Sequence, residues 1–159
     1  MDNSKPPVFV VEKIYIKDLS VEVPHAPEIF LENTAPQIGV QLNTKAVTLE
    51  DGLFEVVLTV SVSAYLGGEK KENGDAAPKR TVFLVEIGQA GVFKGENIPP
   101  ENLEPLLAIT CPTVLFPYVR ETASSAITKA GFPPLVLQPV NFEALYMEKL
   151  ETEKHANKN

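Results

Sequence analysis

The chain has one cysteine, Cys111, two histidines and no tryptophan among its 159 residues. A lone thiol excludes an intrachain disulfide, and one cysteine with His25 and His155 far away in sequence lacks the paired ligand spacing of a zinc site. Neither metal nor cofactor is expected. Lys and Arg number 14 against 21 Asp and Glu, a formal net charge of -7. The concentrated basic surface that neutralises phosphates is therefore missing; nucleic acid is not an expected partner, whereas a basic protein is easily accommodated. Long hydrophobic runs are also lacking. None approaches the length of a bilayer span, and Met1 to Lys17 has no continuous apolar stretch of the signal-peptide kind. A reducing cytoplasm, with no direct membrane insertion, is the expected setting. The glycine-rich run Gly88-Gln89-Ala90-Gly91 lacks the Gly-Lys-Ser/Thr of a phosphate loop and a following helix, so it reads as a turn or bulge at a strand end.

What is present is an ordinary globular composition, 44% hydrophobic and 22% charged, in a length suited to one domain. We expect a single domain over residues 1–159, with a flexible leader at 1–7, a mobile hairpin loop at 67–80 and a flexible tail at 152–159. Val8 to Val23 is rich in β-branched and aromatic residues, as strands are. Its apolar phase changes near Lys17: Ile14 and Ile16 share one parity, Leu19, Val21 and Val23 the other, which a bulge would reconcile. Pro24, Pro27 and Pro36 make His25 to Pro36 an irregular crossover, one that carries an unusually apolar Ile29-Phe30-Leu31. Ile38, Val40 and Leu42 begin a second strand running to Glu50, and Asp51-Gly52 is a hairpin signal. Phe54, Val56, Leu58, Val60, Val62, Ala64 and Leu66 then alternate with mostly polar residues, the period of a half-buried strand. Thr81 to Gly91 is a fourth, with Phe83, Val85 and Ile87 on one side and Val82, Leu84 and Glu86 on the other.

Helical signals follow. Leu103 to Ile109 reads as a short helix, and the main one lies between Pro112 and Ala130, with Pro117 delaying or kinking it and Gly131 ending it. Leu115, Val119, Thr122, Ala126 and Ala130 recur at helical spacing on a face suited to helix pairing. Asn141 caps a last helix with Phe142, Leu145, Tyr146 and Leu150 as its apolar stripe. Strands first and helices after give an α+β fold, a four-stranded antiparallel sheet with helices packed on one face and the other face wet.

Three clusters are candidates for chemistry. Cys111 with His25 or His155 as base would serve a small cysteine-dependent hydrolase, although a cysteine beside Pro112 at a helix start is also ordinary inert packing. Asp18, Ser20 and Glu22 share a strand face, and Glu86 could join them. This acidic patch could dock a basic protein, while a solvated face is the plainer reading of these residues alone. Phe30, Phe132, Leu135 and Leu137 occupy loop-like stretches, either as plugs of the core or as walls that bind extended apolar chain.

Several segments carry a resemblance. Glu12-Lys-Ile-Tyr-Ile-Lys-Asp-Leu-Ser-Val-Glu-Val-Pro24 resembles the opening strand of the SecB export chaperones. Cys111-Pro-Thr-Val-Leu-Phe-Pro-Tyr-Val-Arg-Glu121 is similar to their helix signature, and Phe132-Pro-Pro-Leu-Val-Leu-Gln-Pro-Val-Asn-Phe142 to their helix-connecting loop and second helix cap. With Phe54-Glu-Val-Val-Leu58 and Phe83-Leu-Val-Glu-Ile87, the match runs from about Val10 to Leu150. The resemblance implies an ATP-independent chaperone, not an enzyme, that holds unfolded precursors and delivers them to the translocase ATPase SecA. It implies a homotetramer, a dimer of dimers, with Val85, Ile87, Leu115, Val119 and Ala126 as expected interface positions. It assigns an unfolded-peptide groove to Ile29, Phe30, Leu31, Phe132, Leu135 and Leu137, and motor docking to Asp18, Glu22, Leu84 and Glu86. Three features depart from the family: a long Gly67–Arg80 loop, Thr34 where an aromatic is common, and a Lys154-His-Ala-Asn-Lys-Asn159 tail that is not acidic. A general module that docks folded partners on the acidic face is the remaining alternative.

Overall fold

The computed structural model describes residues 4–158; of the expected leader and tail, residues 1–3 and 159 lie outside the described residues. Four strands, β1 (Val8–Glu22), β2 (Gln37–Glu50), β3 (Leu53–Leu66) and β4 (Arg80–Glu96), form one antiparallel sheet in the order β1-β4-β3-β2. β2, β3 and β4 follow one another as hairpins, the first closed at Gly52 with φ 75°. The chain between β1 and β2 must therefore cross the sheet, and a 3₁₀ turn (Glu28–Leu31) lies within that crossover. The strands fall as the alternation predicts, with one extension: β4 continues past Gly91 to Glu96. Gly91 does not end the strand but makes room, since a Cβ there would lie 2.7 Å from the Phe93 ring and 3.1 Å from Leu115. The run from Gly88 to Gly91 is accordingly buried in the middle of β4 and is not a strand end.

The phase change in β1 is a bulge. Its register against β4 slips between Ile16 and Asp18, and again between Val11 and Lys13. Gln89, buried on β4, donates from Nε2 to the Tyr15 carbonyl at 3.1 Å beside the bulge.

After β4 come α1 (Pro100–Pro105), a π-helical turn (Leu106–Thr110), α2 (Cys111–Lys129) and α3 (Phe142–Ala156). The expected short helix is thus α1 with the π turn, and it runs directly into α2. The wide turn sits just before Pro112, whose ring would crowd the carbonyl four residues back in a regular helix. There the Cys111 N–H reaches the Leu106 carbonyl, five residues back. Pro117 neither delays nor ends α2, which starts at Cys111. Asn141 caps α3 as predicted, its Oδ1 accepting from Ala144 N at 3.0 Å, and α3 continues beyond 152 to Ala156. The 67–80 segment, expected as a mobile hairpin loop, is a hydrogen-bonded ribbon: Lys70 bridges Ala76, and an Asn73 side chain accepts from Asp75 N.

α2 packs on β3 and β4, and this decides the core. Val56, Leu58, Val60, Val62 and Ala64 on β3 and Val85, Ile87 and Phe93 on β4 are buried beneath Leu115, Phe116, Val119, Ala123 and Ile127, and Phe54 is buried as well. Each of the Val, Leu, Ile and Phe side chains taken fully from water contributes about 1.5–3 kcal/mol. The sequence reading of the interface needs correction here. Val85, Ile87, Leu115 and Val119 are 0% exposed in the single chain, so they have no surface left for another copy. Of the five expected positions only Ala126 borders an open groove, one of about 490 Å³ that it lines together with Thr122, Ser125 and Ala130 and with Ile16, Leu19 and Val21 of β1.

Candidate functional site

The first candidate surface lies where the crossover meets the connection between α2 and α3. Gly131 ends α2 with φ 97°, a conformation glycine adopts without the steric cost other residues bear, and a Cβ there would come within 3.0 Å of the Phe30 ring. The absent side chain lets Phe30 seat against Phe132, ring centroids 5.3 Å apart, and Phe132 in turn lies 5.0 Å from Phe83 on β4. Aromatic pairs at such separations contribute about 0.5–1.5 kcal/mol beyond their buried area. The connecting loop is tied to the helix layer by Arg120 Nε, which donates to the Leu137 carbonyl at 3.1 Å. Glu32, just past the 3₁₀ turn, pairs with Arg80 at the start of β4. Two separate loops are thereby held side by side.

Exposure sorts the six residues assigned to the groove. Phe30 is 48% and Leu31 80% exposed, Phe132 and Leu135 are half-buried, and all four border solvent. Ile29 and Leu137 are sealed, at 4% and 6%, and are corrected to core. The reason is local. In each loop the chain is extended or tightly turned, so neighbouring side chains point opposite ways and the apolar run cannot all face out. Val136, 62% exposed between Leu135 and Leu137, is the member the sequence reading missed; two-residue alternation through Leu135-Val136-Leu137 was the signal that could have found it.

The groove does not stand alone. On β2, Ile38 and Val40 pair with the buried Ala64 and Val62, yet they remain 41% and 46% exposed because the helix layer does not extend over this end of the edge strand. Further along the same strand, Leu42 and Ala46 with Leu107, Phe142 and Leu145 line a second apolar groove of about 560 Å³. On the opposite edge, Ile16, Leu19 and Val21 are 49%, 43% and 42% exposed on the helix-covered side. Both sheet edges therefore carry apolar rows and unpaired backbone, an arrangement that single soluble chains ordinarily avoid.

The second surface is the open face of the sheet. The register sets Asp18 beside Gly88, Ser20 beside Glu86 and Glu22 beside Leu84. Asp18, Glu22, Leu84 and Glu86 are thus brought together, the three carboxylates exposed and Leu84 half-buried among them. β3 adds Ser61, whose Oγ donates to Glu86 Oε2 at 3.2 Å. Next to this patch Tyr15 and Lys17 reach over β4 to Glu55 on β3: the Tyr15 hydroxyl donates to Oε2, and Lys17 Nζ lies 2.7 Å from Oε1. Lys17 and Tyr15 hold the Glu55 carboxyl below its ordinary range, while burial and Glu55 push the Tyr15 phenol up to about 12.

Cys111 has no such company. It is fully buried, and burial raises its thiol to about 12, so it stays protonated at neutral pH and is no nucleophile. Among the described residues no helix is long and apolar enough to cross a membrane.

Comparison with known proteins agrees with the architecture. A solved SecB-like chaperone of Mycobacterium tuberculosis, in complex with a ChAD peptide from an antitoxin, superposes with a TM-score of 0.62 at 16% identity, covering 83% of this chain and 90% of that one. This likeness shows the fold. Protein-export protein SecB of Dechloromonas aromatica (strain RCB) is 54% identical over 98% of this chain and 95% of its own length. Protein-export protein SecB of Azoarcus sp. (strain BH72) is 56% identical over 94% and 92%. The family model described as preprotein translocase subunit SecB matches residues 2–153. With a match of that extent and relatives of that identity, the chain belongs to the SecB family.

Proposed function

We propose that this chain holds unfolded precursor polypeptides in an export-competent state and delivers them to a SecA-type translocase ATPase, working as a cytoplasmic homotetramer without catalysis or nucleotide. The observation that carries the reading is the Phe30–Phe132–Phe83 cluster of tilted rings, which joins two distant loops while leaving Phe30 and Leu31 open to water. A folded monomer gains nothing from such exposure, whereas an extended client segment can cover it. Ordering that segment costs about 2–5 kcal/mol, so one groove binds weakly. Several copies on one assembly raise avidity by ~10²–10⁴. Folded proteins, with their apolar side chains hidden, are passed over.

Assembly is supported by the same logic. The β1 edge, with Ile16, Leu19 and Val21 bare, is a surface that another copy can cover, and pairing there also satisfies the edge backbone. The acidic face of Asp18, Glu22 and Glu86, with Leu84 as an apolar anchor, complements a basic segment of the motor. It lies on the sheet face away from the helices, so client and motor can be held together.

The test is light scattering for mass combined with titration of a chemically unfolded precursor. The expected result is a four-copy mass, suppression of precursor aggregation with no ATP, and simultaneous binding of the motor. A monomer with no affinity for unfolded chain overturns the proposal. Client and motor excluding one another would favour a general module for folded partners.

A further inference from the structure

The bulge in β1 has an electrostatic consequence. Strand geometry alternates side chains between faces, but here Tyr15, Lys17 and Asp18 are all on the open face. Tyr15 and Lys17 reach Glu55, and the Asp18 Cβ is the group a Cβ on Gly88 would meet, at 3.4 Å. The slip between Ile16 and Asp18 is what lets consecutive residues 17 and 18 share a face. It also introduces a cation next to the acidic patch, since Lys17 is chain neighbour to Asp18 and its ammonium is half-exposed on a long flexible stem. Left free, that ammonium could turn over Asp18 and Glu86 and neutralise part of the field that attracts a basic partner.

It is not free. Glu55, on β3 and therefore two strands away, holds it at 2.7 Å. The reach passes over small residues of the intervening strand, since Tyr15 pairs with Ala90 and Asp18 with Gly88, while Glu55 itself pairs with Val92. The Tyr15 hydroxyl takes the second Glu55 oxygen, so the carboxylate is gripped at both ends, and its side chain is only 14% exposed. We propose that Glu55, fixed by Tyr15, is a positioning residue that draws Lys17 away from Asp18, Glu22 and Glu86 and so keeps the docking face acidic. This rests on the reading that those carboxylates dock the motor.

The experiment measures affinity of purified SecA for the whole assembled chaperone at low and high salt, by titration calorimetry. E55Q releases Lys17 and should weaken binding about two- to fivefold at low salt, the scale of one exposed charge, with the difference lost at about 1 M salt. E96Q makes the same charge change on the same sheet, at a carboxylate that pairs with Lys94, 2.9 Å away and remote from the patch, and should leave binding nearly unchanged. Adding K17M to E55Q should restore affinity. Equal weakening by E55Q and E96Q would mean that net charge alone matters and overturns the inference. So does an E55Q defect that K17M fails to rescue, or E55Q binding as tightly as the native chain. D18N separates the two claims: if it leaves affinity intact, the docking reading fails, whereas if D18N weakens binding and E55Q does not, only the positioning role fails.

Discussion

The aromatic groove and the acidic face are built from opposite materials, and the contrast shows how one small chain would serve the two partners proposed for it. The groove is loop-borne, with rings held in place by other rings and a glycine that makes room for them. Its attraction comes from removing apolar surface from water, which salt hardly screens. The acidic face is strand-borne, with carboxylates set by register and spaced by small polar neighbours. Its attraction is Coulombic, falls off over a Debye length of about 10 Å at 0.1 M salt, and serves mainly to speed encounter. Because the two use different physics on different faces, either can be weakened without the other, so long as the core between them stands.

The largest effect should come from breaking what the two share. Leu58→Ala, under α2 and fully buried, should cost about 2–5 kcal/mol of stability and abolish both activities together, read as a lower denaturation midpoint. Next is Phe132→Ala, which removes the ring between Phe30 and Phe83 and should weaken precursor binding by roughly 1–2 kcal/mol, about five- to thirtyfold. Motor affinity should stay unchanged, and loss of both would erase the separation argued above. Asp18→Asn should do the reverse: motor binding falls about two- to fivefold at low salt, while aggregation suppression is untouched. The smallest effects are on pH dependence. Tyr15 has its folded pKa raised to about 12 from 10.0, so the folded state keeps the phenolic proton that the unfolded chain releases, and stability falls between pH 10 and 12. Tyr15→Phe should flatten that limb in pH-dependent melting. Glu55 has the opposite sign: its folded pKa is lowered from 4.5, so its contribution is present above that value and lost as acid protonates it. Cys111→Ala should leave client holding and motor docking unchanged at neutral pH.

Much of the sheet was legible because its evidence is local. Seven alternating apolar residues from Phe54 to Leu66 set one face of β3, the parity break at Lys17 announced the bulge, and Asp51-Gly52 and Asn141 marked a turn and a cap. The quartet proposed for docking was half-legible. Parity put Asp18 with Glu22 and Leu84 with Glu86, but only register made the two pairs neighbours. What could not be read was which apolar residues stay wet. Ile29 and Ile38 look alike in sequence, yet one is 4% and the other 41% exposed, because the helix layer reaches the first and stops short of the second. The interface positions failed for the same reason: spacing identifies an apolar helix face, not whether a sheet or another copy of the chain covers it.

The sequence by itself determined the strands, their inward faces, the bulge and the capped helix ends, since each follows from backbone sterics and side-chain period within a few residues. Only the tertiary structure decided that Phe30 meets Phe132, that Glu55 restrains Lys17 across an intervening strand, and that both edge strands keep apolar side chains in water. These depend on distances between segments far apart in the chain, and a local pattern carries no information about where a packed layer ends.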